Sequence, residues 1–180
     1  MLTITVPASE SYDPITETFF STKEQKLTLE HSLYSIAKWE SKWGKCFLSR
    51  TDNKTIEESR DYIRCMTVTQ NVDSAVYYAL TDQNYQDILA YMQAPMTATW
   101  FPDTNQPPSR EIMTAELIYY YMTALNIPFD CDKWHLNRLM TLIRLCSEKN
   151  KPPKKMSKRS VMSQNAALNA LRRKQLGTSG

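Results

Sequence analysis

The sequence predicts a mainly α-helical protein with a small N-terminal β ribbon and a basic C-terminal helical tail. Segments with apolar residues at three- and four-residue spacing recur along the chain, whereas alternating apolar patterns occur only near the N-terminus. Glycine is scarce, with 3 among 180 residues. Tight β-rich folds and glycine-lined phosphate loops need more glycine, so both are disfavoured.

The N-terminal segment contains two short alternating patterns that predict strands. Aliphatic side chains alternate with threonines over residues 2–6, and leucines alternate with polar residues over 25–30. The two strands are expected to pair, since an isolated strand cannot satisfy its backbone groups. Residues 7–23 contain two prolines and many Ser, Thr and Glu residues, so a loop is predicted there.

Several helices are predicted from their capping residues. Ser32 is a candidate N-cap for a helix with an apolar stripe, and Gly44 stands where that helix should end. Thr55 and Glu58 have the spacing of a capping box. Further candidate N-caps are Asp73, Thr81 and Asp132.

The second half of the body contains the most apolar helical segment, residues 115–126. It is apolar nearly all round, which predicts a central position in the fold. The short connection to the next helix predicts an antiparallel pair. Residues 95–109 form the main proline-rich loop, in which Trp100 and Phe101 either make a surface aromatic patch or fold back onto the core.

The chain divides into a helical body over residues 1–150 and a basic linker with a last helix over 151–180. Residues 147–180 hold nine basic groups and one acidic group, a net charge of +8, and the other 146 residues carry +3 − 8 = −5. Ser157 and Gly177 are candidate caps of the last helix, predicted over 161–176. The candidate partner-binding residues of this tail are Lys154, Lys155, Lys158, Arg159, Val161, Leu168, Leu171, Arg172, Arg173 and Lys174.

No catalytic or metal-binding motif is recognisable, so the protein is expected not to be an enzyme and to need no cofactor. Cys131, His135 and Cys146 are a conceivable zinc set, but their spacing lacks the two close pairs of a structural zinc site. The four cysteines are expected to be packed as free thiols. The adjacent carboxylates at 57–58 and 130–132 lie at predicted helix starts, where the helix dipole favours negative charge.

Neither a membrane span nor a signal peptide is expected. The longest apolar stretch, residues 117–125, is too short to cross a bilayer. The first six residues lack the basic region and the long apolar run of a signal peptide. A cytoplasmic protein is therefore expected.

Four stretches resemble a known family: LEHSLYSIAKWESKWGKCFL at 29–48, PMTATWF at 95–101, TAELIYYYMTALNIPFDCDKWHLNRLMTLIRLCSEKN at 114–150, and PPKKMSKRSVMSQNAALNALRRKQLG at 152–177. Together they are similar to tail assembly chaperone-like proteins of long-tailed bacteriophages. The resemblance implies a role in virion morphogenesis. Such a chaperone binds the long helical tape-measure protein and helps to recruit tail tube subunits in the host cytoplasm.

Two other functions agree with the same residues. A structural head–tail connector or tail component would remain in the virion. A nucleic-acid-binding protein would use the basic tail to contact phosphates. A homo-oligomer also agrees with the sequence, because the narrow apolar stripe of the last helix needs a second surface.

Overall fold

The computed structural model describes residues 1–13, 18–49, 53–102, 112–151 and 157–177. The predicted fold class is confirmed: the protein is mainly helical, with a small N-terminal ribbon and a C-terminal helix. Contacts divide the chain into two units, residues 1–148 and 149–180. No helix among the described residues is both long and apolar enough to span a bilayer.

The N-terminal ribbon has four strands: β1 (Leu2–Val6), β2 (Ser9–Asp13), β3 (Thr18–Thr22) and β4 (Gln25–Leu29). β1 pairs with β4 and β2 pairs with β3, both antiparallel. The β2–β3 pair continues the register of the β1–β4 pair. The four strands therefore form one long hairpin, interrupted between β1 and β2 and between β3 and β4. The loop predicted over residues 7–23 is therefore wrong for β2 and β3. Neither strand has an alternating apolar pattern, but pairing satisfies their backbone groups.

The α-helices of the described residues begin and end mostly where their capping residues predict. Ser32 accepts a hydrogen bond from the Ser35 N–H, and Gly44 is left-handed. The capping box of Thr55 and Glu58 is confirmed, and Thr81 caps its helix as predicted. The helices are α1 (Leu33–Trp43), α2 (Ile56–Met66), α3 (Asp82–Gln93), α4 (Ala115–Ala124), α5 (Leu136–Asn150) and α6 (Lys158–Leu176).

The core of the first unit lies between the β1–β4 pair and the helices. Helix α1 contributes the largest fully buried side chain, Trp39, whose indole N–H donates to the Glu58 carbonyl at 2.8 Å. Trp39 also packs edge-to-face on Phe47. Other fully buried core residues come from both strands and four helices: Val6, Leu27, Leu29, Leu33, Ile36, Met66, Ile118, Met122 and Leu139.

Both edges of the β1–β4 pair have partners. The segment after α2 pairs with the outer edge of β4, because the Glu30 N–H donates to Met66 O and the Val68 N–H donates to Thr28 O, each at 2.8 Å. On the other edge, the Asn84 side chain of α3 donates to Thr5 O at 3.2 Å. The ribbon is thereby joined to the segment after α2 along one edge and to α3 along the other.

Three predictions for the second half of the body differ from the structure. Asp132 does not cap α5, because it lies in a 3-10 turn and its carboxylate accepts a hydrogen bond from the Tyr119 hydroxyl at 3.0 Å. Helix α5 starts later, where the Leu136 N–H donates to His31 O. Helix α4 is not surrounded by the core, since Tyr120 is 64% exposed. Its main helical neighbour is α1 rather than α5, so the predicted antiparallel pair is not its principal contact.

A buried carboxylate connects three segments of the body. Glu40, in α1, accepts hydrogen bonds from the Phe47 N–H at 2.7 Å and from the Ala115 N–H at 2.8 Å. Ala115 is the first residue of α4, where backbone N–H groups have no partner within the helix. Glu40 therefore fixes the start of α4 against the end of α1.

Candidate partner-binding surface

Helix α6 forms by strong local signals. The Ser157 hydroxyl accepts a hydrogen bond from the Ser160 N–H, and Gly177 adopts a left-handed conformation with φ of 61°. Both predicted caps are confirmed, and the helix begins at Lys158, three residues before the predicted start. The start is earlier because Lys158, Arg159 and Ser160 complete the first turn after the Ser157 cap.

No residue of α6 is buried. Val161 is 40% exposed, Leu168 51% and Leu171 59%. Spacings of seven and three residues place these side chains along one face, as predicted. The stripe is narrow, and a helix of this length is marginal in water unless its apolar face meets another surface.

The basic residues of α6 lie at its two ends. Lys158 and Arg159 occupy the first turn, and Arg172, Arg173 and Lys174 the last turns, all of them exposed. Between them, residues 160–171 carry no charge. Helical spacing puts Arg172 beside Leu168, while Arg159 and Arg173 lie away from the stripe. The candidate residues Lys154 and Lys155 lie outside the described residues.

Trp100 and Phe101 differ in their exposure to solvent. Trp100 is 79% exposed, whereas Phe101 is partly buried beneath the Arg144 guanidinium, 4.3 Å from its ring centre. Only Phe101 therefore packs on the body, by a cation–π contact. Trp100 is available to a partner, as a single aromatic side chain rather than as a pair.

An apolar groove lies between α2 and α3, and no sequence pattern predicts it. Its cavity volume is about 390 Å³. The floor is formed by buried side chains, and the walls by partly exposed ones: Phe47, Tyr62, Ile63 and Ile88 below, with Lys54, Ser59, Tyr85, Leu89 and Met92 around them. Its lining comes from separate helices, so periodicity within one helix could not reveal it.

The buried histidines form a structural polar network. His31 Nδ1 and the Tyr62 hydroxyl share a hydrogen bond at 2.6 Å. His135 Nε2 donates to Tyr91 O at 3.0 Å, and its Nδ1 accepts from the Asn137 N–H at 3.3 Å. Burial, and secondly the charge of His135, lower the pKa of His31 to about 4. Burial also lowers the pKa of His135, so both rings are neutral at pH 7.

These groups do not assemble a metal site. Within the described ranges, no group of three His, Cys, Asp or Glu side chains is placed to hold a metal ion. All four cysteines are free. Burial raises the pKa of the Cys46, Cys65 and Cys131 thiols, which keeps them protonated and weakly nucleophilic.

The buried carboxylates of Glu58 and Asp61 also have hydrogen-bond and ion-pair partners within the body. Glu58 accepts from the Thr55 N–H in the capping box and pairs with the Lys45 ammonium. The hydrogen bond from Lys45 is the largest cause of the lowered pKa of Glu58. Asp61 is paired with Lys42 and Arg64 and accepts from the Trp43 indole N–H. These carboxylates stabilise the contact between α1 and α2.

No family model matches this chain, and no curated protein or solved structure is similar to it.

Proposed function

We propose that the protein is a morphogenesis factor of a long-tailed bacteriophage, a tail assembly chaperone that binds the tape-measure protein and helps to recruit tail tube subunits. The observation that carries the proposal is α6, a capped helix of 19 residues with no buried residue, an exposed aliphatic stripe and basic ends. The resemblance of the four stretches at 29–48, 95–101, 114–150 and 152–177 to such chaperones supplies the partner.

The features of α6 suit binding to another helix. An amphipathic helix binds a partner through apolar side chains at three-, four- and seven-residue spacing. In α6 these side chains are Val161, Leu168 and Leu171. The basic ends accelerate encounter with an acidic segment, whereas the apolar stripe determines how long the complex lasts.

The proposal is tested by co-purification from infected cells together with mass spectrometry of purified virions. A chaperone is expected to co-purify with tape-measure protein and to be absent from mature particles. Presence in particles at a fixed symmetric copy number would instead identify a structural tail or connector component.

A pair of matched double variants tests the role of α6. Leu168→Asp with Leu171→Asp places charges in the stripe, and Arg172→Gln with Arg173→Gln removes two charges outside the aliphatic positions. The aspartate pair is expected to weaken partner binding more, by at least roughly tenfold, because buried unpaired charge is costly. Equal or greater loss in the glutamine pair would show that charge, not the apolar stripe, drives binding.

Nucleic-acid binding is the second candidate, because α6 has five basic side chains and no acidic one. Affinity for DNA or RNA should then fall steeply with salt concentration and disappear when residues 147–180 are removed. Fluorescence anisotropy at two salt concentrations separates this function from helix binding, which depends on the aliphatic stripe and weakly on salt.

A further inference from the structure

The groove between α2 and α3 has a mostly apolar lining, which suits contact with the apolar face of a helix. Its cavity of about 390 Å³ lies in the range of roughly 300–1,000 Å³ typical of ligand sites. The stacked rings of Phe47 and Tyr62, with centres 3.8 Å apart, form a rigid floor. Leu89 stands on the rim and is 53% exposed, although its neighbours are largely apolar. The groove thus presents exposed apolar surface, with the Lys54 ammonium 4.5 Å from the centre of the Phe47 ring.

The uncharged middle of α6 is complementary to this groove. Residues 160–171 contain the aliphatic stripe and no charge, which agrees with a groove whose only charged lining residue, in the part of the chain that the structure describes, is Lys54. The ends of α6 are basic, whereas α3 has two exposed carboxylates, Asp82 and Asp87, and no basic residue. Charge therefore favours α6 beside α3, with its apolar stripe directed into the groove.

We propose that the groove of one copy binds α6 of a second copy, so that the protein associates through its C-terminal helices. The second copy is favoured because α6 has an exposed aliphatic stripe, and because the net charges of +8 for residues 147–180 and −5 for the rest are opposite. A closed pair with two such contacts is the symmetric arrangement that satisfies both grooves. This self-association does not depend on the proposed phage function.

Light scattering of the purified full-length protein measures the association. The expected mass at high concentration is about twice the 20.9 kDa of one chain. Leu89→Glu, in the groove, and Leu168→Glu, in α6, are each expected to raise the dissociation constant at least roughly tenfold. Val68→Glu is the matched control, because Val68 is 50% exposed and lies outside the groove.

Cross-linking distinguishes binding of α6 to the groove of a second copy from binding of α6 to the groove of its own chain. Chains carrying Leu89→Cys and a size tag are mixed with untagged chains carrying Leu168→Cys, and a bismaleimide is added. A tagged–untagged product is expected, above the background that the four native cysteines give in wild-type mixtures. A monomer at all concentrations, an unchanged dimer in both glutamate variants, or cross-linking only when both cysteines are on one chain would overturn the proposal.

Discussion

Helices α1 and α6 can be compared directly, because each begins at a serine N-cap and ends at a left-handed glycine. In α1, five of 11 residues are buried, among them Trp39 and Ile36. In α6, none of 19 residues is buried. The caps therefore determine where each helix begins and ends, while the width of the apolar stripe determines whether the helix joins the core.

Replacing one leucine by alanine in each unit should give the largest difference in the free energy of unfolding. Leu139→Ala removes a fully buried side chain from α5 and should lower the free energy of unfolding by about 2–5 kcal/mol. Leu168→Ala, at an exposed position of α6, should change it by less than about 0.5 kcal/mol. Urea unfolding followed by tryptophan fluorescence measures both. Similar losses in the two variants would place Leu168 in the core.

A buried histidine makes the stability of the body depend on pH. The pKa of His31 is about 4 in the folded protein against 6.5 ordinarily, so the unfolded chain binds more protons between these values. The contribution of neutral His31 to the free energy of unfolding is therefore fully present above pH 6.5. It decreases by about 3 kcal/mol as the pH falls toward 4. The lowered pKa of His135 acts in the same direction.

Urea unfolding at pH 7 and pH 5 measures the histidine effect with little interference. Glu58 and Asp61, whose pKa values are lowered from 4.5 and 3.8, lose their contribution only at more acidic pH. His31→Gln should reduce the pH dependence above pH 5. Stability that is constant or rises on acidification in the wild-type protein would contradict the neutral, buried assignment of His31.

Removal of the tail gives the smallest expected effect. Deleting residues 152–180 takes away α6, which has no buried residue, and should leave the midpoint of thermal unfolding of the body within about 2 °C. Differential scanning calorimetry at low protein concentration is the measurement, since self-association would otherwise add stability. A large decrease at low concentration would show that the tail belongs to the folding unit of the body.

The helix ends could be predicted because their causes are local. Thr55 and Glu58 are three residues apart, and Gly177 has the conformation that glycine adopts most readily. The N-cap role of Asp132 could not be judged locally, because Tyr119 competes for its carboxylate across the fold. The pairing of β2 with β3 depends likewise on the register set by β1 and β4.

The candidate partner-binding surface, like the helix ends, could be predicted only where its causes are local. Charge and spacing are enough to indicate the exposed stripe of α6, because both are properties of one segment. The groove combines side chains from α2, α3 and the segment between α1 and α2, so only tertiary packing reveals it. The exposure of Tyr120 could not be predicted for the same reason, since an apolar helix does not indicate which of its faces meets solvent.

The hydrogen bond from the Ala115 N–H to Glu40 also affects the order in which parts of the body can fold during synthesis on the ribosome. The two residues are 75 positions apart, so at roughly 5–20 residues per second the partner of Glu40 is made roughly 4–15 s later. During that interval α1 has no α4 beside it, and the Glu40 carboxylate oxygen that will accept from Ala115 is hydrated by water. The body is thus completed only after α4 emerges, and a stop before residue 115 leaves a fragment without a finished core.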